Sequence, residues 1–182
     1  VKENFFSSEY SYHFGSFPQA WGWASWKRAW QNFDREIKEL DELLISGHLN
    51  KLIPNKYQRS KLVNRWKRVN GGKIDTWDFQ WQFSVIANHG LTIVPKMNQI
   101  SNIGFSEDAT HSKEKVGYRK SDLERKKIKF PLKHPKIKVT DKRIDSLYKE
   151  YMLGPPHISK RVIIKIKTFM NRINKLYNTN AK

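Results

Sequence analysis

Four of the chain's seven tryptophans fall within the ten residues Trp21-Gly22-Trp23-Ala24-Ser25-Trp26-Lys27-Arg28-Ala29-Trp30. An indole is a large apolar plate with a single N–H donor, so a segment this rich in indole is either core or a surface kept for a ligand. Trp23, Trp26 and Trp30 stand at i, i+3 and i+7, which puts three rings on one face if residues 24–33 form a helix. Trp26 and Trp30 are expected in the core. Trp21 and Trp23 flank Gly22, where the missing side chain opens unusual backbone conformations and lets a ligand or a second chain segment approach the main chain. Those two are expected to form a ligand platform.

At 182 residues there is room for one core of ordinary size but not for two. No run approaches the roughly 18–20 apolar residues of a membrane span, and no signal-type segment opens the chain, which predicts a soluble or peripheral protein. The absence of cysteine removes disulfides and thiolate zinc sites and suits a reducing compartment. Val1 in first position is expected of a processed product or a piece of something longer. The formal charge of +18 is unevenly spread: residues 1–110 hold 14 Lys/Arg against 11 Asp/Glu, and residues 111–182 hold 21 against 6. Such a field attracts polyanions, whether nucleic acid, anionic lipid or a phosphorylated substrate. A general bias toward lysine, asparagine and isoleucine would also produce part of it.

The patterns predict helices over 24–33 and 36–45, the second closed by Ser46-Gly47. A third is predicted over 55–69, with Leu62, Val63, Trp66 and Val69 as its apolar stripe and Asn70-Gly71-Gly72 as its stop. A fourth starts at Asp75 or Thr76 and runs to Asn88. Residues 1–20 read as irregular, residues 91–94 as a short buried strand halted by Pro95, and 97–112 as a loop. Beyond His111 lysine-rich segments broken by Pro131, Pro135 and Pro155-Pro156 read as a linker, followed by helices over 141–151 and 159–176. The last carries Val162, Ile166, Phe169, Ile173 and Leu176 as a stripe beside lysines and arginines, a pattern that suits either an anionic membrane surface or packing on the parent domain.

Two segments could carry chemistry. Ile74-Asp75-Thr76-Trp77-Asp78-Phe79-Gln80-Trp81 puts Asp78 in the first turn of a helix with Trp77 and Trp81 beside it. A helix N-terminus favours the ionised carboxylate that a general base requires. On spacing alone, however, Asp75 as N-cap with Asp78 three residues on reads better as a capping box. The loop from Ser101 to Ser112 gathers Glu107, Asp108, His111, an amide and several hydroxyls, a ligand set better suited to Mn²⁺ or Mg²⁺ than to zinc. A histidine in a polar loop is also commonly just solvated. No phosphate-binding glycine loop, dinucleotide fingerprint or nucleophile elbow is present.

In order and spacing, Trp21 to Trp30, then Asp75-Thr76-Trp77-Asp78-Phe79-Gln80-Trp81, then Ser101-Asn102-Ile103-Gly104-Phe105 to Asp108-Ala109-Thr110-His111 resemble the C-terminal half of bacterial nucleotide-diphospho-sugar transferases. That family is similar in turn to GT-A glycosyltransferases, including N-acetylglucosaminyltransferase I. The likeness covers roughly residues 10–140. It implies an α/β fold, α+β within this stretch, with residues 1–112 as the acceptor and catalytic-base part and 113–182 as a basic linker and helical extension. It implies that Trp21, Gly22, Trp23, Trp77 and Trp81 line sugars, and that Asp78 deprotonates the acceptor hydroxyl in an inverting displacement. Asp108 and His111 would then meet the metal, Mn²⁺ or Mg²⁺, or the diphosphate. Donor and acceptor would be a nucleoside-diphosphate sugar and a surface glycan. Separately from the resemblance, the apolar stripe and basic residues of 155–182 are expected to bring the protein to the cytoplasmic side of an anionic membrane.

One departure is clear. The family's nucleotide-binding half, with its Asp-x-Asp metal motif, has no counterpart before Trp21, so the isolated chain is expected to be inactive. Two rivals remain: a basic nucleic-acid-binding module, opposed by the separation of aromatics and charge along the chain, and a non-catalytic truncated remnant.

Overall fold

A computed structural model describes residues 9–100 and 125–156. Its described part is an α+β arrangement of six helices and one two-stranded sheet. Strand β1, Tyr12–Gly15, pairs antiparallel with β2, Thr92–Pro95, in the register Tyr12 to Pro95 and Gly15 to Thr92. Between them come α1 (Lys27–Trp30), α2 (Leu40–Ile45), α3 (His48–Leu52), α4 (Lys56–Asn70) and α5 (Asp78–Ala87); α6 (Lys142–Leu153) follows.

Helix α4 is the spine of the core. Asn55 caps it by accepting the Gln58 N–H at 3.0 Å, which satisfies one of the donors a helix start leaves open. Leu62, Trp66 and Val69 then recur on one face, and all three are buried. The Trp66 ring meets Phe83 of α5 edge-on at 5.3 Å. Phe17, Ile37, Leu40, Leu43, Leu49, Ile53, Ile86 and Leu153 complete the same cluster. Burying each such side chain contributes about 1.5–3 kcal/mol.

Helix α6 lies far along the chain yet belongs to this core. Its N-cap Asp141 accepts the Arg143 N–H at 2.9 Å and donates its own N–H to the Phe14 carbonyl at 2.8 Å. One turn later the buried Asp145 carboxylate accepts the Ser16 N–H at 2.8 Å and the Ser16 hydroxyl at 2.6 Å. At the other end, Gln58 Nε2 and Arg65 Nη2 of α4 donate to the carbonyls of Gly154 and Met152, each at 2.7 Å. Charge-assisted bonds in a buried setting hold such a junction firmly.

The structure departs from the sequence patterns at four points. The helix expected over 24–33 is reduced to the single turn of α1, because Trp26 is extended (ψ 143°) and caps the turn instead of joining it. The helix expected from residue 36 starts at Leu40: Asp34 accepts the N–H groups of Glu36 and Lys38, and Ile37 takes φ +51° while its side chain is buried. Residues 12–15 form a strand where irregular chain was expected. The β2 segment is half open to solvent rather than buried, with Leu91 and Ile93 exposed, since one small ribbon covers only one of its faces. Among the described residues no helix is long and apolar enough to cross a membrane.

Candidate functional site

The site is an aromatic face built by the α1 segment and the start of α5. Trp23 lies at its centre, with ring centroids 5.0 Å from Trp77, 5.7 Å from Trp30 and 5.8 Å from Trp81. Trp30 stacks on Phe33 at 4.6 Å and meets Trp81 at 5.1 Å. Trp77 and Trp81 share one side of α5 because they are four residues apart. Trp23 reaches them from a non-helical stretch, so the indole contacts override the helical period expected for residues 24–33.

Five indoles of this region remain exposed: Trp21 (46 %), Trp23 (37 %), Trp26 (52 %), Trp30 (41 %) and Trp77 (44 %). Trp26 and Trp30 are therefore surface residues, which corrects the expectation that they are core. Trp81, at 6 %, is the buried floor under the open rings. Of the exposed rings, Trp23, Trp30 and Trp77 are in mutual succession through Trp23, and a contiguous exposed apolar surface of this kind marks a binding face. At Gly22, φ is +56° and an added Cβ would collide with the Ile100 side chain, so a second chain segment does pack on this glycine.

Asp78 opens α5 and is half-buried. The N-cap is Trp77, without a side-chain cap bond, so the Asp75–Asp78 capping box expected from spacing is not formed. Instead the Thr76 hydroxyl and, at 3.0 Å, the Phe79 N–H both donate to Asp78 Oδ1. Among the described residues Oδ2 has no hydrogen-bond partner. One oxygen is thus fixed by the helix start and the other is free to take a proton from a bound hydroxyl.

Tyr148 of α6, which sequence reasoning did not single out, belongs to this neighbourhood. Its ring stacks on Phe17 at 5.0 Å and its hydroxyl donates to the Pro18 carbonyl at 3.1 Å. Burial, and then the negative charge of Asp78, push its pKa up to about 12; a hydrogen bond from Gln82 opposes the shift. The phenol therefore stays protonated at neutral pH. Gln82 is itself buried, on α5 one turn beyond Asp78. Nothing in the local sequence around Tyr148 signals this role, because the contact joins α6 to a site some seventy residues earlier.

Asp108 and His111 lie outside the described residues, as does the stretch expected to form the last helix. Among the described residues no group of three His, Cys, Asp or Glu side chains could hold a metal ion. An open hollow of about 550 Å³ between Glu36, Lys38, Asp41, Lys67 and Asn70 shares no residue with the aromatic face. Comparison with protein-family models, curated proteins and solved structures finds no match for the chain.

Proposed function

We propose that this chain is the acceptor-binding and catalytic-base part of a GT-A type glycosyltransferase that moves a sugar from a nucleoside-diphosphate sugar to a surface glycan. The observation that carries the reading is the pairing of a half-buried carboxylate, one oxygen without a hydrogen-bond partner among the described residues, with a wall of exposed indoles. Indole plates suit the C–H faces of pyranose rings, and a base must lie within hydrogen-bond reach of the hydroxyl it deprotonates. Asp78 Oδ2 takes the proton of the acceptor hydroxyl. The oxygen then attacks the anomeric carbon, and the bond from that carbon to the diphosphate oxygen breaks, its electron pair leaving with the nucleotide. The configuration inverts because attack and departure occur on opposite faces.

Asp108 and His111 are the residues proposed to meet Mn²⁺ or Mg²⁺, which when bound would offset charge on the departing diphosphate. Residues 155–182 are proposed to hold the protein at the cytoplasmic face of an anionic membrane, with each basic residue near the surface adding about 1 kcal/mol. Removing them should release the protein from phosphatidylserine vesicles in a sedimentation assay; unchanged sedimentation contradicts the placement.

The test of the base is Asp78→Asn in the complete enzyme, assayed for sugar transfer. Turnover should fall by about a hundredfold to ten-thousandfold with donor KM nearly unchanged. Unaltered turnover removes Asp78 from the mechanism.

A further inference from the structure

Helix α4 carries a charge that its own sequence does nothing to offset. Between Pro54 and Ile74 stand seven Lys or Arg residues and no Asp or Glu. Lys56 and Arg59 fall in the first four residues of the helix, and no acidic residue accompanies them in its first turn. The helix dipole disfavours cations at that end, and like charges one turn apart repel. The same helix lines an open hollow of about 360 Å³, closed on its other side by Leu44 of α2. The α4 positions in it are 56, 59, 60, 63, 64 and 67, a three- and four-residue spacing that marks one face of a helix. Leu44 and Val63 are half-buried and pack against the core, which makes them the floor. Ser60 and Asn64 add a hydroxyl and an amide, Lys56, Arg59 and Lys67 add three cations, and no carboxylate lines the hollow. Arg59 is fixed in place, since its Nη1 donates to the carbonyls of Ile53 at 2.7 Å and Pro54 at 3.1 Å. Lys67 also borders the neighbouring hollow, which holds Glu36 and Asp41. Among the described residues, however, neither Lys67 nor Lys56 forms an ion pair.

We propose that this hollow binds a phosphate monoester, at a site that shares no residue with the aromatic face. A compact dianion with three terminal oxygens matches a positioned guanidinium, two ammonium groups and the neutral donors of Ser60 and Asn64. Its binding relieves the repulsion along α4, and Leu44 and Val63 give the body of the ester an apolar surface to rest on. The site is the side of α4 and not its end, where the Asn55 side chain already accepts the Gln58 N–H. A single-stranded nucleic acid fits less well, because such strands are held by aromatic rings on which the bases stack, and no aromatic side chain lines this hollow.

The test is titration of the full chain with glycerol 3-phosphate, followed in ¹H–¹⁵N correlation spectra. The amide signals of Ser60 and Asn64 should shift saturably, and added salt should weaken the binding. Replacing two of the cations, Lys56→Gln with Lys67→Gln, should weaken it about tenfold, since each exposed ion pair is worth up to about fivefold. Both lysines are exposed, so this variant is expected to keep its far-UV spectrum. The control pair, Lys73→Gln with Lys127→Gln, removes the same charge from exposed positions outside the hollow and should leave the affinity nearly unchanged. A parallel titration with dihexanoyl phosphatidic acid, below its micelle concentration, identifies the source of the ester. Tighter binding than glycerol 3-phosphate supports a lipid headgroup, and equal binding supports a soluble ester. Equal losses in the two double variants, or no saturable shift at Ser60 and Asn64, overturns the proposal. Tighter binding of an oligothymidylate that lacks a terminal phosphate overturns it in favour of nucleic acid.

Discussion

Trp77→Ala and Trp81→Ala remove the same side chain from the same helix at different depths. Trp81 is 6 % exposed and contacts Trp23, Trp30 and Phe33. Its truncation deletes a buried indole and leaves a hole under the open rings, which costs about 3–5 kcal/mol. Trp77 is 44 % exposed, and its one ring contact among the described residues is Trp23. An aromatic pair is worth about 0.5–1.5 kcal/mol beyond area burial, and no enclosed cavity follows, so the loss should be about 1–2 kcal/mol. Urea unfolding followed by far-UV circular dichroism separates the two, since indole fluorescence changes with the substitution itself. The midpoint should shift at constant slope, which marks a change in stability alone. Equal losses for the two variants, or a loss below about 1 kcal/mol for Trp81→Ala, would refute the division into floor and platform.

Gly22→Ala should cost about 1–3 kcal/mol, because φ +56° strains any L side chain and the new Cβ meets Ile100; adding Ile100→Ala should recover part of the loss, and a neutral Gly22→Ala would show that the segment is free to move. The pH dependence of stability should fall in two windows. Burial lowers the pKa of His13 from 6.5, against the pull of Asp141, so the unfolded chain binds the proton more readily and stability drops as pH falls through about 6.5. The Arg143 side chain, by its hydrogen bond, lowers the pKa of Asp141, so the stability it contributes is present above about 4 and is lost as pH falls below that. Urea midpoints measured from neutral to acidic pH check both steps; a midpoint rising between pH 7.5 and 5.5 contradicts the His13 assignment.

Local signals made some elements legible and not others. Helix α4 announces itself by its apolar period and the Asn70-Gly71-Gly72 stop, and Gly71 holds the C-terminal cap in the structure; the helix expected over 141–151 forms as α6, whose Asp141 and Gly154 caps emerge only in the structure. The α1 segment has a helical period too, yet its rings find better partners on α5, and Trp26 becomes a cap. At Ile37 burial of the side chain and the two bonds from Asp34 sustain a backbone angle that no propensity suggests. The strand at Tyr12–Gly15 exists because residues 92–95 lie beside it, information that sits about eighty residues away. The nearness of Asp78 to the tryptophans was readable from Asp75 to Trp81. That Oδ2 has no partner among the described residues, and that Tyr148 lies close by, were not, because both depend on how α5 starts and where α6 docks.

The exposed indoles beside Asp78 are proposed to receive a sugar chain. Each tryptophan gives one indole Nε1–H signal in a ¹H–¹⁵N correlation spectrum, seven in all. Trp66, 0 % exposed in the core, serves as the internal control. On addition of chitotetraose the signals of Trp23 and Trp77 should shift saturably, with Trp66 unmoved, and the response should be altered in Asp78→Asn. An unchanged spectrum, or shifts that leave Trp23 and Trp77 in place, would contradict that role.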